Sequence, residues 1–225
     1  MPPQRTDRLG PCVEQIDGPG VEMHFGERVA GFEGRGRVEH VVTEDGRRLE
    51  CDFAVVGVGV QPNMEIAERS ELEVANGIVV DAGLETNVPG VFAAGDVALH
   101  DHPRFGPIRV EHWDNALKMG QHAARAMLGD KQPFDDPHWF WSDQYDANIQ
   151  MAGFARTWDE LVLRGDPMSR EFSAFFLQDG RLLSTFSLNR AKDVRRSMRL
   201  IRTGAVVDPA ALRDEHVDLR TLSSV

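Results

Sequence analysis

The chain is poor in cysteine. Cys12 and Cys51 are the only two among 225 residues. They form no CxxC pair, so both read as free thiols and no dithiol redox centre is expected. Long apolar runs are missing too, and nothing approaches the length that spans a bilayer. The first residues, Met1 to Arg8, carry charge with no hydrophobic stretch after it, so they do not read as a secretory signal. The expected location is the cytoplasm, unless a further segment precedes this one. Positive charge is in deficit: 25 Lys and Arg stand against 36 Asp and Glu, a formal net charge of -11. That balance argues against nucleic acid as a general partner, because phosphate binding needs the opposite sign. A complete Gly-x-Gly-x-x-Gly turn is also lacking. Gly57-Val58-Gly59-Val60-Gln61-Pro62 has two of the glycines, and Gly34-Arg35-Gly36 sits in a hairpin-like context. The phosphate-cradling helix N-terminus that such a turn opens is therefore not expected.

What is present reads as a folded protein. Apolar residues make up 41% and charged residues 27%, enough for a real core and an ordinary polar surface. There are no repeats and no low-complexity segments. The first dozen residues are polar, with Gly10-Pro11 as a breaker. Val21 to Phe25 alternates as a strand does, and Val38 to Thr43 is rich in β-branched residues. Thr43-Glu44-Asp45-Gly46-Arg47 reads as a hairpin turn, with Asp-Gly supplying the positive φ. Phe53 to Val58 is nearly all apolar, as strands buried on both faces are. A helix is predicted over Met64 to Ser70, strands over Gly77 to Asp81 and Val91 to Ala94, and a polar loop from Leu99 to Ile108.

Glu111 to Leu128 is the strongest helix pattern. Trp113, Ala116, Gly120, Ala123, Ala124 and Met127 fall near one face, and Gly129-Asp130 ends it. Beyond Pro133 the pattern changes, and we place a domain boundary there. Aromatics cluster at Trp139, Phe140, Trp141 and Tyr145. Strand-like runs follow at Ile149–Ala152, Glu160–Leu163, Ser173–Leu177 and Arg181–Leu188, then a helix over Ala191 to Ile201.

The most informative string is Thr86-Asn87-Val88-Pro89-Gly90-Val91-Phe92-Ala93-Ala94-Gly95-Asp96. A small-residue strand points its C-terminal end at a crevice, the place where open α/β sheets bind ligands. Gly95 lets the backbone approach a partner closely. Asp96 offers a carboxylate that can accept hydrogen bonds from hydroxyls. The string resembles the second FAD-binding motif of flavoproteins with two dinucleotide-binding domains, in which the aspartate contacts the ribityl-phosphate region of FAD.

Val110-Glu111-His112-Trp113-Asp114-Asn115-Ala116 opens the long helix. A helix N-terminus presents free N–H groups and partial positive charge, suited to a reduced, anionic flavin. Trp113 reads either as core packing or as a flat surface for a ring system. Glu111 reads either as a first-turn dipole partner or as a site residue. The segment is similar to one in ferredoxin reductases and apoptosis-inducing-factor-like relatives. That resemblance implies that Trp113 contacts the flavin, with Glu111 near the nicotinamide and His112, Asn115 and Ala116 in the same site.

Trp139-Phe140-Trp141-Ser142-Asp143-Gln144 resembles the start of the C-terminal domain in rubredoxin, putidaredoxin and biphenyl-dioxygenase ferredoxin reductases. Ile149 to Gly153, Asn189 to Asp193, Arg195-Arg196 and Leu200-Ile201 continue the likeness, which covers most of the chain from about residue 13. It implies that Trp141 and Ser142 lie near the flavin ring. It further implies an α/β fold: incomplete Rossmann-like halves of a two-dinucleotide-binding-domain flavoprotein, followed by an α+β C-terminal reductase domain. The expected domains are the end of an NAD(P)-binding domain (1–62), the second half of an FAD-binding domain (63–133) and the C-terminal domain (134–225).

The resemblance implies an FAD-dependent NAD(P)H:ferredoxin oxidoreductase of an oxygenase system, with FAD as cofactor and NAD(P)H as co-substrate. The alternative is a non-catalytic remnant that acts only as a folded interaction module. Arg190, Lys192, Arg195, Arg196, Arg199 and Arg202 make one helix face basic opposite a stripe of Val194, Met198 and Ile201. That face reads either as solvated surface or as a docking patch for an acidic iron–sulfur ferredoxin or rubredoxin. A homodimer, or pairing with an N-terminal half, is the expected assembly.

Overall fold

The computed structural model describes residues 20–222; Cys12 and the polar Gly10-Pro11 segment lie outside that span. Two compact units divide at Val60 and Gln61.

The first unit is a three-stranded antiparallel sheet of β1 (Val29–Glu33), β2 (His40–Thr43) and β3 (Arg48–Glu50). Its β2–β3 turn forms as the sequence predicts. Gly46 takes φ +88°, its N–H donates to Thr43 O at 3.0 Å, and the Thr43 hydroxyl donates to Asp45. Two expectations fail here. Val21 to Phe25 forms no strand, and the pairing begins at Val29 instead. Phe53 to Val58 forms none either, and Val55 and Val58 are 87% and 88% exposed. A strand buried on both faces needs a neighbour on each side, and this segment pairs with no strand among the described residues.

The second unit holds two sheets. The first contains β4 (Val74–Ala75), β5 (Gly77–Val80), β6 (Ala98–His102) and β7 (Gly106–Ile108), in that order, with β5 and β6 parallel. A short helix α1 (Glu65–Glu68) precedes it, and α2 (Trp113–Met127) packs with it. Their core joins Ile78, Val80, Leu84, Ala98, Met119 and Phe134. The expected strand at Val91 to Ala94 is extended chain held by one bridge, Glu85 to Phe92. The expected loop at Leu99 to Ile108 is the β6–β7 hairpin. Histidines occupy its inward positions: His100 and His102 are each 2% exposed. An imidazole counts as polar in sequence, but these two bond carbonyls (His100 Nε2 to Ala82 O, 3.3 Å; His102 Nε2 to Asp136 O, 3.1 Å) and pack on Phe134 and Phe105.

Helix α2 runs as predicted, but its buried side is offset from the expected face. Asn115, Met119, His122, Ala123 and Ala126 face inward, while Trp113 and Met127 are exposed. Asn115 and His122 can be buried because each has a carbonyl partner, Val110 O at 3.1 Å and Gln132 O at 2.9 Å.

The second sheet has five antiparallel strands in the order β10-β11-β12-β9-β8: β8 (Trp139–Gln144), β9 (Ala147–Gly153), β10 (Glu160–Asp166), β11 (Glu171–Gln178) and β12 (Arg181–Leu188). Helix α3 (Ala191–Thr203) packs across β12 and β9, and a short helix α4 (Pro209–Arg213) meets β10. Val162, Phe175, Leu177, Leu182, Val194, Leu200 and Ile201 form the core, all with no exposed surface. Burying each large aliphatic side chain contributes about 1.5–3 kcal/mol.

Candidate functional site

The carboxyl end of the small-residue segment turns sharply at Gly95, which takes φ +79° and opens a single 3-10 turn, Gly95–Val97. Gly95 is buried against α2: a Cβ placed on it would lie 3.5 Å from Ala116 Cβ. Residues 95–96 and the start of α2 therefore converge. Arg109, which the sequence did not single out, joins them. Its Nη1 donates to Asp96 O at 3.0 Å and to Glu111 Oε1 at 2.5 Å. Gly77 makes room for this arginine, because a Cβ there would sit 2.9 Å from Arg109 Cδ and 2.7 Å from Val97 O. The Asp96 side chain stays exposed.

A cavity of about 570 Å³ lies where the first turn of α2 meets β8, lined by Glu111 to Asp114 on one side and Trp139 to Asp143 on the other. Ligand sites for organic molecules fall in this size range. Trp139 and Trp141 stack with centroids 4.9 Å apart and 23° between planes, and Trp113 meets Trp141 edge-on at 6.3 Å. Trp113 is 70% exposed and Trp141 43%, so broad indole faces stand open to a ligand. His112 is the N-cap residue by its backbone alone, without a side-chain cap bond, and its ring centroid lies 4.8 Å from that of Phe140. Burial pushes the His112 pKa down, opposed by the carboxylates of Asp96, Asp114 and Glu111. Lys118 ties Asp114 (2.7 Å) to Asp136 (3.0 Å), which anchors the helix start.

Of the nine residues expected in the site, Glu111, His112, Trp113, Trp141 and Ser142 line this cavity. Gly95 and Ala116 form the packing contact behind it, and Asp96 stands beside them. Asn115 turns inward, 1% exposed, and bonds Val110 O and Met119 Sδ.

The six cations at α3 divide into two groups. Arg190 pairs with Asp193 (2.8 Å) and with Glu215, and Arg202 and Arg196 stand 3.8 and 3.9 Å from Asp136 and Asp218. Arg199 donates to Arg220 O at 3.3 Å and to Leu222 O. Lys192 and Arg195 are exposed and meet no carboxylate among the described residues. With Arg196, Arg199 and Arg220 they line a groove of about 480 Å³. Arg220 joins the face from the C-terminal segment, where helical spacing could not reveal it.

Residues 11–120 match the pyridine nucleotide-disulphide oxidoreductase family, and residues 139–223 match the reductase C-terminal family. The chain carries domains matching both families, and its relatives are ferredoxin reductases of the pyridine nucleotide-disulphide oxidoreductase superfamily. It is 40% identical over 183 residues to the anthranilate 1,2-dioxygenase system ferredoxin–NAD(+) reductase component of Burkholderia cepacia, covering 80% of this chain and 45% of that one. It is 36% identical over 208 residues to putidaredoxin reductase of Pseudomonas putida, covering 90% and 49%. The crystal structure of the ferredoxin reductase for the CYP199A2 system from Rhodopseudomonas palustris superposes with a TM-score of 0.87 at 38% identity, covering 98% of this chain and 55% of that one. The covalent putidaredoxin reductase–putidaredoxin complex gives 0.81 at 36% identity, covering 90% and 50%. The chain spans about half the length of the curated relatives it matches.

The expected fold class holds: mixed sheets and helices forming part of the FAD-dependent ferredoxin reductase fold. The family uses FAD and NAD(P)H. The residues present fit a flavin, since the open indole faces and the helix N-terminus line one cavity and the Gly95 turn packs on Ala116 beside it. Among the described residues no helix is long and apolar enough to cross a membrane.

Proposed function

We propose that this chain is the C-terminal half of an FAD-dependent NAD(P)H:ferredoxin oxidoreductase, the electron-transfer component of a mono- or dioxygenase system. One observation carries the reading: the Gly95–Asp96 turn and the start of α2 converge beside a cavity faced by Trp113, Trp139 and Trp141. When bound, FAD would accept a hydride from NAD(P)H and pass electrons singly to an iron–sulfur protein. Asp96 would accept hydrogen bonds from the ribityl chain. Trp113 and Trp141 would cover the ring and exclude water, with Ser142 beside it. Glu111, held by Arg109, would stand on the nicotinamide side. The first turn of α2 would direct its free N–H groups, at His112 to Asn115, towards negative charge on the ring, since the Ala116 N–H already donates to His112 O at 2.9 Å.

The domain division at 62/63 and 133/134 belongs to this proposal. So does docking of a ferredoxin or rubredoxin on the α3 face, with Lys192 and Arg195 leading and Arg190, Arg196, Arg199 and Arg202 in support. No nucleotide-cradling glycine turn is present in the sequence, so the chain alone would hold FAD weakly and lack turnover. The exposed, unpaired Phe53–Val60 segment favours assembly with a further sheet, such as the N-terminal half of a relative. It is equally the observation that favours a non-catalytic interaction module.

Titration with FAD, of the chain alone and mixed with the N-terminal half of a relative, separates the two. Flavin absorbance changes and quenched indole fluorescence in the mixture are expected. An unchanged flavin spectrum in both cases would leave the interaction module as the better reading. In the reassembled enzyme, Asp96→Ala should lower FAD retention by about tenfold or more, the usual size of a lost charge-assisted hydrogen bond. Equal FAD content would remove Asp96 from the site.

A further inference from the structure

The indole pair on β8 is held from behind by a chain of side-chain amides. Trp139 Nε1 donates to Gln150 Oε1 at 3.1 Å, and Gln150 Nε2 donates to Asn148 Oδ1 at 3.0 Å. Asn148 Nδ2 then donates to Asp143 Oδ1 at 2.6 Å, returning to the cavity-lining strand. The Asn148 backbone N–H donates to Asn189 Oδ1 at 2.8 Å, and Asn189 N–H donates back to Asn148 O at 2.8 Å. Asn189 takes φ +57°, a left-handed conformation that asparagine tolerates, and directly precedes the Arg190 cap of α3.

The register gives this chain a direction. Trp141, Gln150, Ser187, Ser173 and Arg164 stand opposite one another across the five strands, on the face that meets α3. Ser173 Oγ donates to Asp193 Oδ2 at 3.0 Å in the first turn of α3, and Arg190 Nε donates to the same oxygen. The register thus aligns polar residues from the exposed indoles to the helix bearing Lys192 and Arg195, but Ser187 Oγ bonds nothing among the described residues, so the bonded link to α3 is the one through Asn148 and Asn189.

We propose that Gln150 is a positioning residue that locks the Trp139 indole, and through the stack Trp141, as the wall of the Glu111–Asp143 cavity, with Asn148 and Asn189 bracing it against the start of α3. The orientation of the wall is then set by the same contacts that set the basic helix. Neither Gln150 nor Asn189 lines the cavity, so neither touches a ligand there. The role in catalysis rests on reading that cavity as flavin-facing; the positioning role does not.

The test uses the 225-residue chain and the four indole Nε1–H resonances. Gln150→Leu removes the acceptor and Gln150→Glu keeps it. In Gln150→Leu the Trp139 Nε1–H should exchange with solvent about tenfold faster, the loss expected for one hydrogen bond, and the near-UV dichroism of the stacked pair should fall. Gln150→Glu keeps the acceptor for Trp139 but loses the donor to Asn148 Oδ1, so it should restore both signals in part. Asn189→Gly keeps the left-handed backbone and should shift the Trp139 resonance in the same direction by a smaller amount. Unchanged Trp139 exchange in Gln150→Leu overturns the lock. Equal loss in the Leu and Glu variants also overturns it, because general destabilisation would then explain both. An unmoved Trp139 signal in Asn189→Gly overturns the brace. FAD titration of the same variants, mixed with the N-terminal half of a relative, separates the two readings: a broken lock with unchanged flavin binding keeps Gln150 in its role and removes the flavin from this wall.

Discussion

Arg164 offers the sharpest stability test in the C-terminal sheet. Its side chain sits on β10 and is 3% exposed. Nη1 donates to Leu212 O (3.2 Å) and Asp214 O (2.8 Å), and Nη2 to Glu215 O (3.2 Å) and Val217 O (2.8 Å). Nε lies 3.6 Å from the Asp193 carboxylate. One guanidinium thus gathers the 212–217 segment and faces the first turn of α3. Arg164→Met keeps the aliphatic stem but leaves these carbonyls without their donor and Asp193 with one buried cation fewer. Each unsatisfied buried acceptor costs about 1–3 kcal/mol. Water can reach residues 214–216, which are exposed, so the sum is cut back. Breaking a buried ionic cluster by removing one partner costs about 3–5 kcal/mol, and we expect a loss in that range. With a urea slope of about 2 kcal/mol per molar, the unfolding midpoint should drop by roughly 2 M. Amide exchange at 212–217 should accelerate before the rest of the unit opens. A midpoint shift below about 0.5 M would refute the reasoning, since the carbonyls would then have found other donors at little cost.

Acid should destabilise the β6–β7 hairpin region. Burial, reinforced by neighbouring imidazoles, pushes His100 down to about 4 and His138 down to about 3, and burial also lowers His102. The unfolded imidazoles titrate near 6.5, so the unfolded state binds more protons below that pH. Stability is then fully present above about pH 6.5 and is lost as pH falls towards 4; His100 alone accounts for roughly 2–3 kcal/mol. Urea midpoints at pH 7.5, 6 and 5 should fall in order, and equal midpoints at 7.5 and 5 would refute this. For partner docking, Lys192→Glu with Arg195→Glu in the reassembled enzyme should slow ferredoxin association about tenfold at low salt, with the difference shrinking at high salt. Stopped-flow rates independent of both substitution and salt would move the docking site elsewhere.

The legible parts of the fold were those where local pattern and tertiary packing agree. Helix α3 could be read because Val194, Met198 and Ile201 recur at helical spacing and do pack inward. Strands β9 to β12 could be read because bulky residues recur between turn signals. The failures have physical causes. His100 and His102 looked like loop residues because an imidazole counts as polar until a buried carbonyl partner is known. The face of α2 was misplaced because Asn115 and His122 are buried for the same reason. Phe53 to Val58 carries a strand pattern but pairs with no strand among the described residues. In the site, the tryptophans and the Gly95–Asp96 turn stood out by residue type. Arg109 did not, since its role comes from reaching two segments that only the fold brings together.

This division bears on how a flavin could be held. The cavity supplies flat aromatic surface and a helix N-terminus, which set orientation and reactivity of a ring. Anchoring of a dinucleotide comes chiefly from its pyrophosphate, seated where a glycine-rich turn opens a helix, and the sequence has no such turn. Indole faces left 70% and 43% exposed at Trp113 and Trp141 lie at a cavity open to solvent, and water there weakens every polar contact it can make. On the proposed reading, binding energy and ring positioning would fall on different halves of the enzyme. A site built this way couples cofactor retention to the joining of the halves. FAD affinity in the mixture should therefore exceed the sum of what each half shows alone, and simple additivity would count against a shared site.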